Sequence, residues 1–215
     1  MNTRVLGKLA KQVTPPILYR HLSRLGQRGK DELFDGDSAL FERCLSNSSV
    51  YGEYGCGAST RWVLENTSIP VLGVDTDQNW IRSIDPENRN EGRLNLHWVD
   101  LGEVRAWGRP ASYGHADRFH VYTDWIWEQD RQPDTVLIDG RFRVCCFFTS
   151  ILNAEEGTSI VFDDYVGRRH YHIVEDFVRP AEMCGRQCLF RVPERKRIDT
   201  AAIRRMIDNF RYVMD

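Results

Sequence analysis

At 215 residues, with 28% charged and 41% apolar side chains and a net charge of −2, the chain has the make-up of one globular domain with an accessory segment. That composition excludes a second full domain, a disordered chain and a membrane-spanning bundle. No apolar run approaches the ~18 residues of a transmembrane helix and the N-terminus lacks a signal peptide's apolar core, so a cytoplasmic location is expected.

The chain opens on a basic arm, in which Arg4, Lys8, Lys11, Arg20, Arg24, Arg28 and Lys30 all precede the first acid, Asp31. Thr14 and Pro15 have the form of a helix start, and Ile17, Leu18, His21, Leu22 and Leu25 recur at helical spacing until Gly26. Such an amphipathic helix packs its stripe on the domain, or makes peripheral contact with an anionic membrane. Nucleic acid is not an expected partner, because no RNA- or DNA-binding motif accompanies the basic residues. A further helix at Ser38–Leu45 completes a basic N-terminal helical extension, residues 1–48, ahead of the main domain, residues 49–215.

From residue 49 strand-like and helix-like patterns alternate. Strands are predicted at Val50–Glu53, Val71–Asp75, Leu94–Val99, Thr135–Asp139 and Ser159–Asp163, and helices at Thr60–Glu65, Gln78–Ile84, Val144–Leu152 and His170–Phe177. Two more strands, Gln187–Val192 and Phe210–Met214, flank a helix at Thr200–Ile207. The pattern describes a Rossmann-like α/β fold, a doubly wound and mainly parallel sheet with helices on both faces. The aromatic connection from Gly102 to Asp130 reads equally as a lid over the sheet edge and as a cap on the core. The six cysteines, Cys44, Cys56, Cys145, Cys146, Cys184 and Cys188, are expected to be reduced, and Cys184 and Cys188 lack the second ligand pair of a zinc site.

The first strand runs directly into glycines and then a helix, Glu53-Tyr54-Gly55-Cys56-Gly57-Ala58-Ser59-Thr60. Glycines there let a ligand approach bare backbone beside a helix N-terminus. A dinucleotide fingerprint fails at its third glycine, where Thr60 stands, and a P-loop fails because no Gly-Lys-Ser/Thr follows. The segment resembles the first motif of class I S-adenosylmethionine-dependent methyltransferases, an acid followed by Gly-x-Gly. That resemblance implies that Gly55, Gly57 and Ser59 approach the methionine part of S-adenosylmethionine, with Glu53 near its amino group. A carboxylate can pair with an ammonium but repels a pyrophosphate. Asp75 ends the second strand at the offset of a ribose-binding acid. The same resemblance sets Asp100 beside the adenine, whereas a turn residue is the plain alternative.

The fourth and fifth strands also end in acids, Asp139, Asp163 and Asp164, which parallel pairing brings to one rim. Carboxylates that close must share protons or meet a cation, and Mg²⁺ suits oxygen ligands. The arrangement is similar to that of catechol-type O-methyltransferases, which implies a metal held by Asp139, Asp163 and Asp164. It departs from that family at Phe142, where a lysine base is usual, and at Asp164, where Asn is common. Without a metal, Asp139 or Asp163 serves as general base. Arg143 joins them as an expected catalytic residue, and Arg141, Arg143 and Arg168 are candidate anchors for an anionic or hydroxyl-rich acceptor.

The stretches Asp139-Gly140-Arg141-Phe142-Arg143 and Asp163-Asp164-Tyr165, with Arg168 to Tyr171 and the Pro15–Leu18 segment, also resemble bacterial methyltransferase-like proteins associated with surface-polysaccharide synthesis. Together these readings predict O-methylation of a small or glycan-like hydroxyl acceptor. A metal-dependent glycosyltransferase using a nucleotide sugar, and a catalytically silent binding module, are the alternatives.

Overall fold

The computed structural model describes residues 33–86, 90 and 92–215. The expected helix at 14–26 and the basic arm lie outside the described residues. A seven-stranded sheet organises the rest, in the order β3-β2-β1-β4-β5-β7-β6. Its strands are β1 (Tyr51–Tyr54), β2 (Val71–Asp75), β3 (Leu94–Trp98), β4 (Thr135–Ile138), β5 (Ser159–Phe162), β6 (Glu182–Cys184) and β7 (Gln187–Arg191). The first five strands pair in parallel, and β7 and β6 complete the edge antiparallel. Strand order reverses between β1 and β4, the crevice where open α/β sheets bind ligands at their carboxyl ends.

Helices α1 (Ala39–Leu45), α2 (Ala58–Asn66), α3 (Gln78–Ile84), α4 (Phe119–Asp124), α5 (Arg143–Asn153) and α6 (Thr200–Phe210) pack around the sheet. Alternation along each strand divides the core. Tyr51, Leu137, Val161 and Leu189 face Leu40, Phe41 and Val63 of α1 and α2. Tyr54, Val136, Ile138, Ile160, Phe162 and Phe190 face α4, α5 and α6. Covered by its neighbours as well as by the sheet, α5 is buried from Arg143 through Ile151, which explains its nearly unbroken apolar sequence and its two inert cysteines. All six cysteines are free thiols. Helix α1 buries Leu40, Phe41, Cys44 and Leu45 in this core, so packing joins it to the sheet domain.

Two expectations are corrected. Phe210–Met214 is not a strand, because Ile203, Ile207 and Phe210 extend one apolar stripe and carry α6 to Phe210, with Asp199 capping its start. The antiparallel edge is formed instead by the β6–β7 hairpin, which turns at Gly185 (φ +55°). Arg169–Asp176 is a 3₁₀ helix rather than an α-helix, its buried residues Tyr171 and Val174 standing three apart.

The connection between β3 and β4 divides in two. Residues 103–111 form a narrow hairpin, bridged at Val104 and Pro110, with Trp107 exposed at its tip. Residues 116–127 form short helical turns that bury Phe119, Tyr122, Ile126 and Trp127. The second segment is thus a cap on the core, and the first is a surface hairpin. No described helix is long and apolar enough to cross a membrane.

Candidate functional site

The carboxyl ends of β1 and β2 hold two acids in a hydrogen-bonded scaffold. Gly55 adopts φ +91°, and a Cβ on it would lie 2.5 Å from the Gly140 Cα, so the β1 and β4 turns meet backbone to backbone. Three successive turn amides are engaged by the protein itself. Gly55 N–H donates to the Val74 carbonyl at 2.9 Å, Cys56 N–H to Asp75 Oδ2 at 2.9 Å, and Gly57 N–H to Thr60 Oγ1 at 2.8 Å. The Thr60 hydroxyl in turn donates to Glu53 Oε2, and Ser59 donates to Oε1. Thr60, the residue that breaks the dinucleotide fingerprint, therefore fastens the turn to a buried carboxylate.

Glu53 is wholly buried, and burial pushes its carboxyl up to about 7, opposed by the Ser59 and Thr60 hydrogen bonds. Asp75 is 9% exposed, and burial raises it to about 6 against the hydrogen bonds from Asp77 and Cys56. Its Oδ1 accepts from Asp77 N–H at 2.7 Å. Among the described residues neither carboxylate forms an ion pair with a basic side chain. A Cβ built on Gly57 meets nothing within 4 Å, so this glycine faces open space at the start of α2. Open backbone beside two uncompensated carboxylates fits a cationic, ribose-bearing ligand.

Glu53, Gly55, Gly57, Ser59 and Asp75 thus converge on one turn, although Ser59 and Glu53 contact each other. Asp100 is half exposed at the end of β3, where it accepts from Gly102 N–H at 3.0 Å and lies 3.7 Å from Arg118. Over the β2 end, Thr76 Oγ1 donates to the Gly108 carbonyl at 2.5 Å and ties down the Trp107 hairpin.

The β4–β5 rim is built differently. Asp139, Asp163 and Asp164 each offer an oxygen within 4.8 Å of the others. Three arginines neutralise them. Arg186 grips the buried Asp163 through two hydrogen bonds, 2.9 and 2.5 Å, and Arg168 holds Asp164 at 2.6 Å. Arg143, 3% exposed, holds Asp139 Oδ1 at 3.0 Å and also donates to the carbonyls of Asp139, Gly140 and Asp163. Magnesium requires open oxygens in near-octahedral array. Both Asp163 oxygens lie in the Arg186 fork and Asp164 Oδ2 is held by Arg168, so this donor set does not fit the expected metal ion.

Asp139 Oδ2 receives no hydrogen bond from the three arginines, and the Asp139 carboxyl stands within hydrogen-bonding reach of Asp163. Burial, together with the Asp163 charge, pushes the Asp139 carboxyl well above the usual carboxylate range. Backbone strain gathers at this rim too, with Phe142 at φ +54° and Asp164 at φ +57°.

Three residues beyond Asp139, Phe142 joins an aromatic wall. Phe119 packs 4.8 Å from Phe142, 6.2 Å from Tyr113 and 6.1 Å from Tyr212, and the outer rings of Tyr113 and Tyr212 are exposed. Arg186 and Tyr212 were not foreseen. Arg186 sits in the β6–β7 turn and carries no sequence signal, whereas Tyr212 was assigned to a strand.

No family model matches the chain, and no curated protein matches it. Solved structures do. A methyltransferase-like protein from Silicibacter pomeroyi is 29% identical, with a TM-score of 0.68 over 80% of this chain and 92% of that one. The N-methyltransferase NodS from Bradyrhizobium japonicum, in complex with S-adenosylhomocysteine, is 14% identical, with a TM-score of 0.47 over 78% of this chain and 92% of that one. The 1,6-didemethyltoxoflavin N1-methyltransferase from Burkholderia thailandensis is 15% identical, with a TM-score of 0.38 over 91% of this chain and 80% of that one. The first likeness, with the strand order above, shows the class I methyltransferase fold.

Proposed function

We propose that this chain, which has the class I methyltransferase fold, transfers a methyl group from S-adenosylmethionine to a hydroxyl of a small or glycan-like acceptor. One observation carries the reading: the β1 turn has its amides occupied and two carboxylates without basic partners. A pyrophosphate would meet negative charge there with no donor from those three amides, whereas a sulfonium donor brings an ammonium and a ribose diol. The open face of Gly57 supports close approach of the methionine portion, and Asp75 retains lone pairs for the ribose hydroxyls.

Bound there, S-adenosylmethionine supplies a methyl group on a cationic sulfur that leaves as a neutral thioether. Asp139 Oδ2, in its ionised form, accepts the proton that the acceptor hydroxyl loses, the Arg143 charge favouring that form against burial and the Asp163 charge. Arg143 positions Asp139 by binding its carboxylate and the backbone on either side. The exposed rings of Tyr113 and Tyr212, each tilted against Phe119, offer apolar surface of the kind against which sugar or aromatic acceptors rest. Rate enhancement then rests on alignment of oxygen and methyl, with proton removal added to it.

The arginine compensation supports a metal-independent reaction and weighs against a nucleotide-sugar transferase that needs a divalent ion. A thermal-shift series tests the reading. S-adenosylmethionine and S-adenosylhomocysteine should raise the melting temperature without added Mg²⁺, and uridine or guanosine diphosphate with Mn²⁺ should not. The opposite pattern would remove it.

A further inference from the structure

Arg141 is the cation at the acceptor rim that the aspartates leave unpaired. It lies two residues beyond Asp139, is half-buried, and forms no ion pair among the described residues. Its Nε is buried without a hydrogen-bond partner. Its backbone N–H donates to Tyr122 Oη at 3.1 Å, which fixes the residue against the aromatic wall. Burial and the neighbouring Arg143 charge both disfavour its guanidinium, so an anion brought here would be welcomed.

Next to it α5 begins without a cap of its own. The N-cap residue is Phe142, whose side chain accepts nothing. The Arg143 N–H donates instead to Asp215 Oδ1 at 3.1 Å, and Asp215 Oδ2 is buried with no partner. Asp215, with one orphaned oxygen, thus stands at this helix N-terminus, and Arg141, two residues before Arg143 and within reach of the Asp215 charge, has an orphaned nitrogen. Helix N-termini and guanidiniums both favour oxyanions.

We propose that Arg141 and the N-terminus of α5 form a subsite for an oxyanion, a carboxylate or phosphate borne by the acceptor, and that the Asp215 carboxylate occupies it as a competitor. The subsite rests on the reading of this rim as the acceptor site and narrows the acceptor to an anionic one. The ring platform at Tyr113 and Tyr212, the anchor at Arg141 and the base at Asp139 then address three parts of one molecule. Tyr212, packed 6.1 Å from Phe119, lies three residues before Asp215, so displacing that carboxylate also shifts one wall of the platform.

The test uses the full chain as wild type, Asp215→Asn, Arg141→Gln and Arg141→Lys, with inorganic phosphate and, separately, acetate titrated calorimetrically. Asparagine still caps a helix, so Asp215→Asn removes the charge and keeps the fold. It should bind phosphate about tenfold tighter than wild type, Arg141→Gln about tenfold weaker, and Arg141→Lys between them. Stronger binding of phosphate than acetate identifies a phosphorylated acceptor, and the reverse a carboxylated one. Equal phosphate affinity in wild type and Asp215→Asn, or in wild type and Arg141→Gln, would reduce Asp215 to a helix cap and overturn the subsite. S-adenosylhomocysteine is titrated into the same four proteins. If it fails to bind while the phosphate pattern holds, the subsite stands and the methyl-donor reading falls.

Discussion

Two parts of one sheet edge handle clustered carboxylates in opposite ways. At the β1–β2 rim, Glu53 and Asp75 are held by hydroxyls and backbone amides, and no described basic side chain pairs with them. At the β4–β5 rim, Asp139, Asp163 and Asp164 are matched by Arg143, Arg186 and Arg168. Burial costs an ionised group heavily unless it is paired. The first rim meets that cost by keeping its acids close to protonation and ready for a cationic ligand. The second meets it internally through its arginines, which leaves little charge for a metal to balance and leaves Asp139 Oδ2 without an arginine hydrogen bond.

Breaking the second rim at its reactive oxygen should have the largest effect. Asp139→Asn should lower kcat about a thousandfold in a radiolabelled methyl-transfer assay, in the range general bases contribute, with S-adenosylhomocysteine affinity unchanged. Breaking it at its counter-charge comes next. Arg186→Gln leaves the wholly buried Asp163 without its fork and should cost about 3 kcal/mol in urea unfolding. Mg²⁺ should then stabilise this variant and not the wild type, which would turn the second rim into the metal site its sequence suggested.

At the first rim, Gly57→Leu fills open space rather than protein. Its melting temperature should stay near that of wild type while S-adenosylhomocysteine affinity falls about a hundredfold. The pH response should be the smallest effect. A carboxyl whose pKa is higher folded than unfolded binds its proton more tightly in the fold. The stability from Glu53 and Asp75 is therefore full below their ordinary values of 4.5 and 3.8 and is lost as pH rises through about 6 for Asp75 and about 7 for Glu53. Melting temperature should fall by several degrees from pH 5 to pH 8, and Glu53→Gln should flatten the curve.

The sheet and both acidic rims were legible because parallel strands ending in acids converge at one edge whatever their loops do. The failure of the dinucleotide pattern at Thr60 was legible as well, but its cause was not, since only the fold shows the Thr60 hydroxyl on Glu53. Charge compensation was hidden for a similar reason. Arg143 lies four residues from Asp139 and could be expected nearby, whereas Arg186 reaches Asp163 from a hairpin turn 23 residues away. Phe210–Met214 misled because its aromatic and β-branched residues suit a strand, while the stripe that includes Phe210 belongs to α6. The left-handed backbone at Phe142 has no signal in residue type, and at Asp164 only the ordinary tolerance of aspartate for that region.

Calorimetric titration of the wild-type chain with S-adenosylhomocysteine and, in parallel, with NAD addresses the first rim directly. The thioether should bind at one equivalent, more tightly at pH 8 than at pH 6 as Glu53 and Asp75 lose their protons, and NAD should give no heat. NAD binding, or a thioether that fails to bind at either pH, would contradict a pocket made for a cationic methyl donor.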